Sequence, residues 1–316
     1  MKPLTRRWRR ILLAFLLYLT FCAVGGVYLA DATLHLARRP LTDGDVAAMR
    51  QAARAPDAPL EDVAITARDG AVLRGWTLRP LRGNRDAVIL LHGMGDNRLG
   101  MMGYAQLFLA HGFTVLMPDA RAHGVSGGAL ATYGLLERND IRRWFDFLSK
   151  HDAPRCIFGF GESMGAAELL QSLADTPFCA VAAESSFATF REIAYDRMGQ
   201  PFHLGPWMGR TLLRPLVETA FLRARWKYGL NMDRVSPADS VAATDIPVLL
   251  IHGELDSNIP VRHSRLIQAR NPAARLWEVA GADHCGAISA APEELERMLL
   301  GWLKPRNGSA KLLSTR

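Results

Sequence analysis

Six short apolar runs limit the folds open to this chain: "AVILLHG" (87–93), "FTVLMPDA" (113–120), "CIFGFGES" (156–163), "AVAAESS" (180–186), "PVLLIHGELD" (247–256) and "RLWEVAGADH" (275–284). Each is rich in Val, Ile, Leu or Phe, and several lack the polar–apolar alternation of a strand with one wet face. Such strands are buried on both faces, as in a parallel sheet covered by helices on each side. Helical stretches such as "GLLERNDIRRWFDFLSK" (134–150) and "AAELLQSLAD" (166–175) lie between them, so strand and helix alternate in the order of an α/β fold. Ahead of the series, "DVAITARDGAVLRGWTLRP" reads as two β-segments around the turn Asp69-Gly70. A chain of 316 residues can bury the core of one large domain of this kind or of two small ones.

The interval 187–244 is too long for one crossover helix. It holds "FATFREIAYDRMG" and "GPWMGRTLLRPLVETAFLRARWKYG", read as two or more helices kinked at Pro215. Its aromatic residues include Phe187, Phe190, Tyr195, Phe202, Trp207, Phe221, Trp226 and Tyr228. Most of them can serve simply to pack the insert. An insert at the carboxyl end of a strand nevertheless lies where α/β sheets bind ligands, so it reads as a helical lid.

The formal charge of +7 suggests nucleic acid until it is located along the chain. Lys2, Arg6, Arg7, Arg9 and Arg10 stand at one end and Lys304, Arg306, Lys311 and Arg316 at the other, with no acid at either, so the part between carries −2. There is no basic stripe interleaved with aromatics, and nucleic-acid binding is not expected. The basic start (1–10) instead precedes "ILLAFLLYLTFCAVGGVYLA" (11–30), an uncharged apolar run of the length of a transmembrane helix. A cleaved signal peptide is the rival, since Ala30 and Ala32 form a rough A-x-A site. The charge asymmetry predicts a cytoplasmic N-terminus and a main domain outside the cytoplasm, periplasmic or extracellular in a bacterium. Residues 31–61 read as a polar linker, 62–303 as the α/β domain, and 304–316 as a basic tail. Outside the span lie Cys156, Cys179 and Cys285. The first two open consecutive predicted strands and can either pair or stay reduced, and an odd number leaves at least one thiol. No spacing suggests a metal, and nothing calls for a cofactor.

The stretch "FGFGESMGAAE" (158–168) carries the chemistry. A dinucleotide fingerprint fails because Met164 stands where the third glycine belongs, and no Lys-Ser or Lys-Thr completes a phosphate loop. Read from Gly161, the letters are G-E-S-M-G, a full match to G-x-S-x-G. That pattern places Ser163 on a strained turn from strand to helix, with glycines where side chains would collide. A hydroxyl needs a general base oriented by a carboxylate. "PVLLIHGELDSNIP" supplies Asp256, with Glu254 as a rival, and "EVAGADHCG" supplies His284, beside an Asp283 badly placed to turn onto its neighbour. An oxyanion hole needs two main-chain N–H donors, expected at Met164 and at Met94 in "LLHGMGDN". His92 and His252 read as structural residues at strand ends.

Taken together, "HGMGDN", "PDARAHGVSGG", "GESMG", "IHGELDSNIP" and "GADHCG" resemble, in that order, the α/β-hydrolase superfamily and its BEM46-like branch over about residues 62–303. The resemblance implies an eight-stranded, mostly parallel sheet and a Ser163–Asp256–His284 triad. The chain departs at Ala122-His123, where relatives carry a glycine-rich run. The expected activity is that of a membrane-anchored serine hydrolase acting on a carboxylic ester or thioester of a small-molecule or lipid-like acyl substrate. Peptidase or acyltransferase work with the same triad, or a non-catalytic scaffold, are the alternatives. A serine at 163 excludes the aspartate-nucleophile epoxide and halide chemistries.

Overall fold

The computed structural model describes residues 5–52 and 57–305; the N-terminal Lys2 and most of the basic C-terminal tail lie outside the described residues. The strands are β1 (Leu60–Thr66), β2 (Val72–Leu78), β3 (Asp86–Leu91), β4 (Thr114–Pro118), β5 (Cys156–Glu162), β6 (Val181–Glu184), β7 (Val248–Gly253) and β8 (Arg275–Val279). The helices are α1 (Arg6–Leu34), α2 (Asp43–Ala52), α3 (Met102–Ala110), α4 (Glu137–His151), α5 (Met164–Ser172), α6 (Phe190–Gly199), α7 (Trp207–Arg210), α8 (Arg214–Tyr228), α9 (Pro237–Ala242), α10 (Arg262–Arg270), α11 (Ala287–Ala290) and α12 (Pro292–Trp302).

All eight strands form one sheet in the order β1-β2-β4-β3-β5-β6-β7-β8. The β1–β2 hairpin turns at Asp69-Gly70 and is antiparallel, as is β2 to β4, and every later pair is parallel. The missing alternation now has its cause. Along β3, Val88 and Leu90 enter one apolar cluster with Tyr104 and Phe108 of α3 and Leu295 and Leu299 of α12. Ala87, Ile89 and Leu91 enter another with Trp144, Phe145 and Leu148 of α4 and Leu169 and Leu170 of α5. Both strand faces are dry, so both must be apolar.

Cys156, the first residue of β5, and Cys179, two residues ahead of β6, form a disulfide with Cα atoms 5.8 Å apart, while Cys22 and Cys285 are free. The segment read as linker holds more structure than expected. Helix α1 runs on to Leu34, and α2 follows, with Met49 fully buried among β-sheet and α3 residues. A single core anchor on an otherwise polar, Ala-rich helix leaves little periodic signal. Pro215 does not kink a long helix but stands in the first turn of α8, where its missing N–H costs no hydrogen bond.

The chain divides into two units. Residues 36–189 and 235–316 hold the sheet and its flanking helices. Residues 1–35 join 190–234, so α1 shares a unit with the insert helices α6, α7 and α8.

Candidate active site

Each predicted catalytic side chain leaves the carboxyl end of a strand, where a parallel sheet opens its ligand crevice. Ser163 follows β5, Asp256 lies just past β7, and His284 lies past β8. Ser163 sits at φ 53°, in the left-handed region that non-glycine residues avoid. The neighbouring glycines make that turn possible. A Cβ on Gly161 would stand 2.6 Å from Gly165 O, and one on Gly165 would stand 2.6 Å from His92 O. The Ser163 amide donates to Glu184 O at 2.8 Å, tying the turn to β6.

The three side chains meet. His284 Nε2 lies 3.0 Å from Ser163 Oγ, and Nδ1 lies 2.9 Å and 3.1 Å from the two oxygens of Asp256. Facing a carboxylate, Nδ1 carries the proton, which leaves the Nε2 lone pair to accept from the serine hydroxyl. Asp256 Oδ1 also accepts the amides of Asn258 at 2.9 Å and Ile259 at 2.7 Å. Burial by itself would raise the Asp256 pKa, but hydrogen bonds from His252 and His284 and the amide of Ile259 outweigh it and hold the carboxyl well below the usual range. It is therefore an anion at neutral pH, as a group orienting an imidazole must be.

Glu254 does not reach His284. Asp283 turns away, accepting from the Ser257 amide at 2.8 Å, the Ser257 hydroxyl at 3.0 Å and the His284 amide at 2.8 Å, so it shapes the loop that carries the imidazole. His92 is structural in the sense expected. Its Nδ1 donates to Gly93 O at 2.8 Å and its Nε2 accepts the Ala120 amide at 3.1 Å. Burial, with His123 beside it, lowers its pKa to about 4, so it stays neutral. The turn it shapes brings Gly93 against the nucleophile, where a Cβ would meet the Ser163 Cβ at 3.5 Å. The amides of Met94, next in the chain, and of Met164, the first residue of α5, have no hydrogen-bond partner among the described residues. Two free donors thus flank Ser163, one at a helix N-terminus that favours negative charge.

Two features of the site escape a reading of the sequence. His252 is more than a strand-end residue: its Nε2 stands 2.7 Å from Ile259 O and 3.2 Å from Asp256 Oδ2, and its Nδ1 accepts from Ser264 Oγ at 2.7 Å. It braces the orienting carboxylate, and its position four residues before Asp256 is the only signal the sequence offers. Beneath the serine, Tyr104 Oη donates to Glu184 Oε2 at 2.6 Å, and Glu184 Oε1 accepts the Ala287 amide at 2.9 Å. Burial, with Glu184 close by, raises the Glu162 pKa to about 8. Burial also pushes the Cys285 thiol far up, so the cysteine beside His284 is no competing thiolate. Among the described residues no group of three or more His, Cys, Asp or Glu side chains could hold a metal ion.

Comparison with known proteins agrees with this architecture. Residues 88–298 match the model of the alpha/beta hydrolase family. YqkD, an uncharacterized protein of Bacillus subtilis, is 28% identical over 249 residues, covering 77% of this chain and 78% of its own. YfhR, an uncharacterized protein of Escherichia coli K12, is 27% identical over 265 residues, covering 78% of this chain and 83% of its own. The Pyrococcus furiosus esterase Pf2001 superposes with a TM-score of 0.67 at 24% identity, covering 86% of this chain and 99% of its own, a likeness of fold.

Proposed function

The chain belongs to the alpha/beta hydrolase family, and from the site it carries we propose that it is a membrane-anchored serine hydrolase cleaving a carboxylic ester or thioester through an acyl-enzyme on Ser163. The observation that carries this reading is the unbroken relay from Asp256 through both nitrogens of His284 to a serine hydroxyl on a strained turn. His284 Nε2 takes the proton as Ser163 Oγ attacks the acyl carbonyl. The amides of Met94 and Met164 receive the oxyanion. The imidazolium returns its proton to the departing alkoxide or thiolate, which leaves the acyl group on Ser163. A water deprotonated by His284 then adds to that ester, and collapse of the second tetrahedral intermediate frees the acid and restores the serine. The esterase character of Pf2001 supports an ester substrate by analogy of fold.

Two observations support the anchored, exported reading. The Ala30-x-Ala32 site lies within a helix continuous to Leu34, with Ala30 buried, which favours a retained α1 over a cleaved leader. The Cys156–Cys179 disulfide fits an oxidising compartment, in agreement with the basic residues before the apolar run. A panel of p-nitrophenyl esters and acyl thioesters tests the activity. Wild type should turn over at least one class, and Ser163→Ala should lower kcat by roughly 10⁴-fold or more. Equal rates in the two proteins would remove Ser163 from the mechanism. A preference for long acyl chains over acetate would support the lipid-like substrate, and no preference would end that part of the proposal.

A further inference from the structure

Helix α1 does not stand alone. It carries a buried face at every fourth residue, Cys22, Gly26, Ala30 and Leu34, and α8 covers that face. The two helices run in the same direction. Tyr18 Oη donates to Leu212 O at 2.6 Å. A Cβ on Gly26 would stand 2.5 Å from Leu216 O and 2.6 Å from Thr219 Cβ, so the backbones approach as only glycine allows. Further along, Asp31 meets Arg223 at 3.0 Å, Lys227 at 3.3 Å and Tyr228 Oη at 2.7 Å.

These contacts set a depth. The uncharged stretch 11–30 is about 30 Å long at 1.5 Å per residue, the thickness of a bilayer's hydrocarbon core, and charges bound it at Arg10 and Asp31. Tyr18 lies well inside that stretch, and the chain from Leu212 through α8 stays beside α1 from Tyr18 to Asp31. The part of the insert that starts at Leu212 therefore shares the depth of α1 from near the middle of that stretch to its outer end. Its composition suits the place. From Leu212 to Leu222 the only charges are Arg214 and Glu218, 3.5 Å apart, and Glu218 also accepts from Arg191 at 2.7 Å. Arg210 is paired with Glu192. Phe202, Leu204, Trp207 and Leu212 are about half exposed. At the level of Asp31 the character changes to Trp226, Tyr228, Arg223 and Lys227, the aromatic and basic mixture of a headgroup region.

We propose that the middle of the insert, residues 202–222, is immersed in the outer leaflet beside α1. Phospholipid acyl chains then cover Phe202, Leu204, Trp207 and Leu212, and Trp226 and Tyr228 mark the headgroups. This rests on the reading of α1 as a retained membrane helix, and the test separates the two. Leu13→Cys, Trp207→Cys and Leu212→Cys, all at exposed positions, are each introduced into the full chain and labelled with an environment-sensitive fluorophore, the native thiols being subtracted through the unsubstituted protein. The proteins are reconstituted in phosphatidylcholine–phosphatidylglycerol vesicles with lipids brominated midway along the acyl chain. Quenching at 207 and 212 should match that at 13 within about twofold, and aqueous iodide should fail to quench any of the three. Quenching by bromolipid at 13 alone, with 207 and 212 open to iodide, overturns the immersion and leaves the anchor standing. Iodide quenching at 13 as well removes the anchor and the inference with it. Neither result bears on the chemistry at Ser163, which the ester panel reads separately.

Discussion

Ser163 has a backbone that few residues tolerate, and its surroundings explain why the chain accepts the cost of about 1–3 kcal/mol that such a conformation carries. The φ of 53° lifts the hydroxyl to the imidazole and leaves the Met164 amide unpaired beside it. Glu162, just before Ser163, is desolvated and lies near Glu184, so its carboxyl ionises at about 8 in the fold against 4.5 in an unfolded chain. Between those values the unfolded chain has released a proton that the folded chain keeps, so this group makes stability fall as pH rises from about 4.5 to about 8. Glu162→Gln should therefore stabilise the protein at pH 8 by roughly 1–3 kcal/mol and do little at pH 4.5, as read by urea unfolding at the two values. An unchanged pH slope in the variant would show that Glu162 titrates as an exposed acid. Ser163, Asp256 and His284 were legible because a hydroxyl, a carboxylate and an imidazole had to fall, in that order, just past three apolar runs. His252 was not, since a histidine ending a strand says nothing of which carboxylate it will face until the loop closes at Ile259.

The strands are where pattern and structure agree best, because burial on both faces removes any freedom to be polar. Runs such as "AVILLHG" and "PVLLIHGELD" became β3 and β7 with every residue buried. Pairing order carried less signal. That Cys156 and Cys179 would face each other depended on β5 and β6 being parallel neighbours in a register that sets Val181 beside Gly159 and so brings the approach to β6 alongside the start of β5, a long-range fact. The bridge closes a separation of 23 residues, and its removal by Cys156→Ala with Cys179→Ala should lower stability by about 2–4 kcal/mol, seen as a fall in the urea midpoint. A midpoint that does not move on mutation or on adding reductant would mean that the bridge does not form. Helix α2 was missed for the opposite reason to the strands: Met49 is its one buried residue, too little for a period to register.

The chain as a whole pairs segments that are remote in sequence. The apolar start was legible as one long helix from its length and composition, but its partner was not, since Asp31 and Arg223 are 192 residues apart. The insert likewise was legible as extra helix at the carboxyl end of β6, while its sharing of a unit with α1 was not. The proposed function turns on Ser163 acting as the nucleophile, with Asp256 and His284 brought to it from just past β7 and β8. A fluorophosphonate probe reads that property directly. On the full-length protein, mass spectrometry should find the phosphonate on Ser163, and Ser163→Ala should lose all labelling. Folded wild-type protein left unlabelled, or labelled at another residue, would contradict the account.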